Sequence, residues 1–462
     1  MNDDFDVIVI GAGPPGENAA GRAVGHGLSV AIVEERLVGG ECSFYGCIPS
    51  KTLVRPGDVI AAAKRAPGAA EAITGQVDVA AALAQRDYMT NDWDDSSQTP
   101  WLDSEGIELV RGRGRLAGER RVEVETDAGT RTLTATKAVV LAAGTTPAMP
   151  PIDGLADARV WTNRDATAVK EIPRRFIVLG GGPIGAELAQ AFRRLGSEQV
   201  TIIEGGPRLL GREEPFAGDQ VAEAFEAEGI AVITGARVQR VRGAPDGAVT
   251  VTLDDGREIG GDELLVAVGR RPNTTDVGLD TVGLVPGEPV QVDERLRIAG
   301  VDGEWLYGVG DITGLALLTH MGKYQGRIVG DVLGGRDATD IADHRAIPRV
   351  TFTDPQVAAV GPTEAEARDR GIRVRTVQVG TGDVAGAYLR GNDIKGTSHL
   401  VIDENRRVVV GATFTGPEVQ ELLHAATIAI VGEVPLETLW HAVPSFPTVS
   451  EVWLRLLEAY GL

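Results

Sequence analysis

Cysteine is nearly absent: the 462 residues hold two, Cys42 and Cys47. That excludes a disulfide-stapled scaffold and any four-cysteine zinc site, and no metal centre is expected. Long apolar runs are missing as well. No stretch approaches the roughly 18 residues that a membrane-spanning helix needs. The opening residues, MNDDFD, have neither the basic start nor the apolar core of a secretory signal. Positive charge is in deficit, with 45 lysines and arginines against 66 acids and a formal net charge of −21. Such a surface repels phosphate, so nucleic acids and anionic membranes are excluded as partners, and the balance reads as a solvated acidic exterior. A cytoplasmic location is the expectation, with thiols reduced unless chemistry oxidises them.

Glycine is what the chain has in excess: 60 of 462 residues, about 13%, against a typical usage of about 7%. No three-residue period runs through them, so a collagen-like rod is excluded, and the 43% hydrophobic content argues against disorder. Two stretches concentrate the glycines. In residues 5–35 a β-branched run, VIVI, leads into Gly11, Gly13 and Gly16, then a helix, then a strand closed by Glu34. Residues 175–204 repeat the pattern with Gly180, Gly182, Gly185 and Glu204. A strand, a G-x-G-x-x-G turn, a helix and a terminal acid are what a dinucleotide needs: a close backbone approach and helix N-terminus for pyrophosphate, and a carboxylate for ribose. One copy alone also suits a parallel sheet with glycine-rich turns and no nucleotide. Two complete copies imply two dinucleotide-binding domains. The expected architecture is α/β, with two Rossmann-like domains and a C-terminal α+β domain. Its expected segments are 1–149, 150–271, 272–343 and 344–462. Residues 86–106, with Tyr88, Trp93 and Trp101, read as an exposed irregular loop. The apolar helix near 421–431 and the closing VWLRLLEAYGL suit an interface or a core equally.

Both cysteines fall in GGECSFYGCIPSK, residues 39–51. Two lone cysteines can be inert buried thiols. A helix rises about 7.5 Å over five residues, beyond the roughly 7 Å between Cα atoms that a disulfide allows. A bridge here therefore needs distorted backbone between the cysteines, which Gly46 can supply. Pro49 suits the first turn of a following helix. Its N-terminus would favour a thiolate at Cys47, leaving Cys42 as the outer, exchanging thiol.

In this order of motifs the chain resembles the FAD-dependent pyridine nucleotide–disulfide oxidoreductases, which include dihydrolipoamide dehydrogenase, glutathione reductase and mercuric reductase. GAGPPG with Glu34 resembles the FAD turn, GGECSFYGCIPSK the redox-disulfide signature, GGGPIGAE the nicotinamide-nucleotide turn, GVGDI the flavin-acid motif, and IPRVTFTDPQVAAVGPTEAEA the opening of the dimerisation domain. The resemblance implies that Asp311 binds the ribityl chain, and that Gly40, Gly114 and Gly144 also lie along FAD. Thr319, His320 and Met321, at a helix N-terminus, would face the flavin's N1/O2 edge. Lys51 would stand near N5, paired with Glu187; the plainer alternative is two helix-surface charges. Cys47 becomes the charge-transfer thiolate and Cys42 the interchange thiol. Gly269 joins Gly180, Gly182, Gly185 and Glu204 on the nicotinamide side. Glu204 repels a 2′-phosphate, and Gly205, Gly206 and Pro207 follow it rather than arginine, which favours NADH over NADPH. A homodimer is implied, each site completed by the other subunit's C-terminal segment.

That segment departs from the family. Its signature H-P-T-x-S-E appears here as FPTVSE: Pro447, Thr448, Ser450 and Glu451 match, but Phe446 replaces the histidine that exchanges protons with the thiols. His441, Glu451 and Tyr45 are the candidate substitutes. The C-terminal cysteine pair of mercuric reductases is also missing, and Glu41 stands where the family often has threonine. The expected activity is hydride transfer from NAD(P)H through flavin to the Cys42–Cys47 disulfide and on to a small disulfide, or the reverse oxidation of a dithiol. The alternatives are an NADH diaphorase acting on a quinone, metal ion or oxygen, and a complex component or redox sensor.

Overall fold

The computed structural model describes residues 3–244 and 247–462. The chain divides into two compact units. One comprises Met1–Pro49, Asp87–Ala148 and Arg270–His344, the other Ser50–Arg86, Met149–Gly269 and Arg345–Leu462.

The first unit is built on a seven-stranded sheet. Glu108–Arg111, Val30–Glu34, Asp4–Ile10 and Gly129–Leu141 run parallel in that order, with Leu306–Gly308 parallel to the last of them. The VIVI run is buried on both faces, as the centre of a parallel sheet requires. Gly129–Leu141 then continues outward into an antiparallel meander with Arg121–Thr126 and Arg113–Leu116. Its alternation buries Val122, Val124, Leu133 and Ala135 while Glu123 and Thr134 between them point to the other face.

One helix pair positions the chemistry. Helix Thr319–Leu333 lies along helix Pro14–Val24, and glycines at a spacing of four form the contact. A β-carbon on Gly322 would sit 2.5 Å from Pro15 Cγ, and one on Gly326 2.4 Å from the Pro15 carbonyl oxygen. At Gly330 it would meet Arg22 Cβ at 2.5 Å, and at Gly334 the ring of His26 at 2.3 Å. The backbones approach this closely because those β-carbons are missing.

The 86–106 segment is not an irregular loop. Asn91–Trp93 and Asp95–Ser97 form single 3₁₀ turns and Thr99–Glu105 a helix that buries Leu102. Trp93 Nε1 donates to the Phe44 carbonyl at 3.0 Å, and the Trp101 ring covers Gly21. Tyr88 is exposed.

The second unit carries the repeat. Ile230–Thr234, Gln199–Glu204, Arg175–Leu179 and Glu263–Val266 form a four-stranded parallel sheet. Its C-terminal part is a five-stranded antiparallel sheet, in the order 348–351, 356–360, 408–416, 397–403, 374–380. Against it, helix Leu423–Val431 buries Leu423, Ala426, Ala429 and Ile430 but exposes Ile428 and Val431, and helix Val452–Tyr460 buries Leu456 and Leu457. Residues 50–86, expected with the first domain, group with this second unit. Leu53, Ala82 and Leu195 form a small core there, and the half-buried Arg194 guanidinium bonds Asp58, Glu228 and Asp354. No helix among the described residues is long and apolar enough to cross a membrane.

Candidate functional site

The two glycine turns are geometric copies. Gly11 and Gly180 take left-handed φ values of 105° and 109°, and at each a β-carbon would strike a carbonyl oxygen, that of Ala142 or Ala267, at 2.4 Å. Gly16 and Gly185 both lie so close to the turn that a β-carbon would meet the Gly11 or Gly180 carbonyl oxygen at 2.0 Å. At Gly182 nothing lies within 4 Å of that position, and at Gly13 only Pro15 Cδ does, at 3.8 Å. The middle glycines thus leave a cradle that any side chain would fill, in front of a helix N-terminus with no side-chain cap. The acids are copied too. Glu34 accepts from the Ala12 and Arg36 amides at 2.8 and 2.7 Å, and Glu204 from the Gly181 and Gly206 amides at 2.6 Å each. Burial pushes the Glu34 carboxyl up, against the pull of its two amide bonds. These features fit a dinucleotide in each unit.

Of the other cofactor glycines, Gly144 and Gly269 have left-handed backbones and open space where a β-carbon would be. Gly40 packs the redox segment onto the first turn, its β-carbon position 2.9 Å from Gly13 Cα. Gly114 differs: its missing side chain faces Val33 Cγ1 at 2.8 Å and Ile10, which is sheet packing. Asp311 accepts from Thr145 Oγ1 at 2.8 Å, and burial is the main influence on its carboxyl, pushing it up. Helix Thr319–Leu333 begins without a side-chain cap, with His320 exposed and Met321 buried.

The redox segment breaks where its chemistry requires. Helix Gly40–Phe44 stops at Tyr45, whose φ of −136° is not helical, and a new helix runs Cys47–Arg65 with Pro49 in its first turn. Gly46 serves by close approach rather than by a left-handed backbone. A β-carbon there would lie 3.1 Å from the Glu41 carbonyl oxygen and 3.6 Å from Cys42 Cα. Both cysteines are half-buried thiols. The hydrogen bond to Cys47, then burial, pushes the Cys42 thiol well above its ordinary range. Thr319 Oγ1 lies 3.3 Å from Cys47 Sγ, which brings the N-terminus of helix Thr319–Leu333 to that sulfur, where a thiolate would be favoured.

Lys51 and Glu187 are not surface charges. Lys51 Nζ donates to the buried Glu187 Oε2 at 2.6 Å and lies 5.0 Å from the Phe352 ring centre, while Glu187 Oε1 accepts from the Phe352 amide at 2.9 Å. At the C-terminus, Phe446 is 77% exposed and His441 is exposed as well. Glu451 is buried. One of its oxygens accepts from Arg455 at 2.7 Å, and the other has no hydrogen-bond partner among the described residues. The occupant of the carboxylate is therefore an arginine. Tyr45 is half-buried, and burial, with Glu41 behind it, pushes its hydroxyl up, which weakens it as a proton donor.

Two features escaped sequence reasoning because their residues come from separate segments. A cavity of about 370 Å³ opens beside helix Pro14–Val24, lined by Glu17, Asn18, Arg22, Gln98, Trp101 and Arg327. Burial pushes the Glu17 carboxyl up to about 7 despite Lys323. The second is a pin behind Asp311. The Gly310 amide donates to the fully buried Gln325 Oε1 at 2.6 Å, and Gln325 Nε2 donates to Asp343 Oδ2 at 2.6 Å. Burial and then the Asp340 carboxyl beside it push Asp343 up to about 7. A raised acid binds more protons folded than unfolded, so its contribution is present at low pH and fades between about pH 4 and 7. Asp343→Asn is expected to raise the thermal midpoint more at pH 8 than at pH 5, a difference worth about 1 kcal/mol of stability after allowing for its partial exposure. Thermal melts of both proteins across pH 5–8 check this, and parallel profiles would contradict it.

Residues 5–326 match the pyridine nucleotide-disulphide oxidoreductase family and residues 347–456 its dimerisation domain. Mercuric reductase from Lysinibacillus sphaericus is 31% identical over 453 residues, covering 97% of this chain and 81% of the relative. Dihydrolipoyl dehydrogenase from Chlamydia muridarum is 32% identical over 460 residues, covering 98% and 96%. Among solved structures, the Cu(II) complex of the HOCl-induced flavoprotein disulfide reductase RclA from Escherichia coli matches with a TM-score of 0.86 at 25% identity, covering 99% of each chain. LpdA from Mycobacterium tuberculosis matches with a TM-score of 0.86 at 26% identity, covering 99% of this chain and 100% of that one. With two nucleotide turns, a cysteine pair across a broken helix and the dimerisation domain in family order, the chain belongs to the flavin-dependent pyridine nucleotide-disulphide oxidoreductases.

Proposed function

We propose that this enzyme reduces a small disulfide at the expense of NADH, with Cys42 and Cys47 carrying the electrons, or runs the same steps in reverse from a dithiol. The single observation behind this reading is the cysteine pair itself: two thiols brought together across a helix break, the inner one against Thr319 at a helix N-terminus. Bound FAD supplies the hydride acceptor between coenzyme and cysteines. Gly11, Gly13 and Gly16 would hold its pyrophosphate, Glu34 its ribose and Asp311 its ribityl chain. Gly180, Gly182, Gly185 and Glu204 do the same for the coenzyme. Glu187 fixes Lys51 as a cation of defined position. Cys42 attacks one sulfur of the substrate disulfide, releasing the other as a thiolate; Cys47 then attacks Cys42, releasing the second and re-forming the protein disulfide.

We read the protein as a cytoplasmic homodimer in which the segment from His441 to Glu451 of each subunit completes the other's site. With Phe446 in place of histidine, and Glu451 occupied by Arg455, proton transfer to the leaving thiolate is weakly supported, and exchange is slower by roughly 10²–10⁴ than with a positioned base. The exposed Phe446 ring favours a second reading, an NADH diaphorase for an apolar acceptor such as a quinone.

Anaerobic titration with NADH tests the first reading. The expected result is uptake of two equivalents per subunit, with a long-wavelength thiolate–flavin band after the first. Uptake of one equivalent without that band would overturn it. Glu204→Gln tests coenzyme choice. It removes the charge that repels a 2′-phosphate, so the NADH-to-NADPH ratio of kcat/KM should fall by about tenfold or more, measured with one acceptor. An unchanged ratio would remove Glu204 from that role.

A further inference from the structure

Arg270 is a half-buried guanidinium to which neither nucleotide turn gives a task. It opens the short strand Arg270–Pro272, which pairs antiparallel with Thr145–Pro147. Its side chain reaches back to Thr145 with two arms: Nε donates to Thr145 Oγ1 at 2.6 Å and Nη2 to the Thr145 carbonyl at 2.8 Å. With one lone pair of Oγ1 filled by the guanidinium, the hydroxyl proton is directed to Asp311 Oδ2, 2.8 Å away. Thr145 is buried, so the hydroxyl has no exchange with bulk water to disorder it. The far side of the guanidinium faces Glu41 Oε2 at 3.4 Å, the residue immediately before Cys42. One arginine thus joins the acid of the GVGDI turn to the start of the redox helix.

We propose that Arg270 is a positioning residue for the cofactor: through Thr145 it holds the Asp311 carboxylate in the orientation that grips the flavin's ribityl hydroxyls, with Glu41 as its counter-charge. The inference rests on the reading of Asp311 as the ribityl acid. A carboxylate in a buried site is held by the hydrogen bonds it accepts, and a directed hydroxyl leaves its other oxygen available to a ligand. Replacing threonine by valine removes the directed proton at nearly constant shape. Replacing arginine by methionine removes the director and leaves the hydroxyl free to rotate.

The rate of FAD release from the holoenzyme, followed by flavin fluorescence, tests this, with the visible circular dichroism of bound flavin as a second readout. Asp311→Asn should speed release; if it does not, the reading of Asp311 fails and the inference falls with it. Given that effect, Thr145→Val and Arg270→Met should each speed release by about tenfold or more, the scale of a lost charge-assisted bond. Thr145→Ser should release at the wild-type rate and Arg270→Lys at an intermediate one. Combining Thr145→Val with Arg270→Met should add little to either alone, because both break one chain of bonds. The flavin dichroism should change in the valine and methionine variants and return in the serine variant. A wild-type release rate in Arg270→Met, a Thr145→Ser variant no better than Thr145→Val, or fully additive effects would each overturn the proposal.

Discussion

Cys42→Ser is expected to lower NADH-dependent disulfide turnover by at least roughly 10⁴-fold, the scale seen when a covalent nucleophile is removed. A serine hydroxyl is not ionised near neutral pH, and it forms no exchangeable bond to sulfur. The same loss is expected for Cys47→Ser, for a different reason. Cys42 could still attack the substrate, but no neighbour could then release it from the mixed disulfide. Reduction of a quinone by NADH should survive both changes within a few-fold, because it needs the nucleotide sites and not the cysteines. Steady-state assays with a panel of disulfides and one quinone separate the readings. If wild type and Cys42→Ser reduce the quinone equally and neither turns over any disulfide, the diaphorase reading replaces the disulfide one. If disulfide turnover persists in Cys42→Ser, the cysteine pair has no part in it.

What was legible in the sequence was whatever chemistry ties to local spacing. Gly11, Gly13, Gly16 and Glu34 are linked by one strand–turn–helix–strand unit, and the same holds for the copy at Gly180, so the pattern and the geometry coincide. The need for a helix break between Cys42 and Cys47 followed from helical rise alone, though the role of Gly46 did not. Distorted backbone at the glycine was expected, and the structure uses Gly46 to pass close to Glu41. The antiparallel meander from Arg113 to Leu141 escaped because its first two strands are short and carry charges between their apolar residues, a weak signal beside the apolar parallel run. Gly114, assigned to the cofactor, turned out to face Val33 and Ile10. The Arg270–Thr145–Asp311 chain could not be read at all. Its members are 125 and 166 residues apart in sequence, and only the fold brings them together.

The glycine excess contains a second message that the nucleotide turns do not account for. Gly322, Gly326 and Gly330 recur every four residues along one helix face, and each meets the helix that follows the first nucleotide turn, while Gly334 at the helix end meets His26 just past it. Gly326→Val is accordingly expected to be among the most damaging single changes in the chain. A β-carbon at Gly326 would lie 2.4 Å from the Pro15 carbonyl oxygen and 2.9 Å from the Ala19 amide nitrogen. Both are backbone atoms, so no rotamer change relieves the clash and one helix must move away from the other. Pro15 belongs to the GAGPPG turn, so that movement opens the phosphate cradle as well as the packing. Gly326→Ala should cost about 1–3 kcal/mol and Gly326→Val about 3 kcal/mol or more, beyond the usual range for overpacking because the obstacle is backbone. The FAD-to-protein ratio after purification should fall in the same order, alanine before valine. Gly75→Ala is the control: nothing lies within 4 Å of its β-carbon position, so neither the melting temperature nor the flavin content should drop. Full flavin content and an unchanged melt in Gly326→Val would mean that the two helices do not need this contact. The stripe would then be incidental to holding the cofactor.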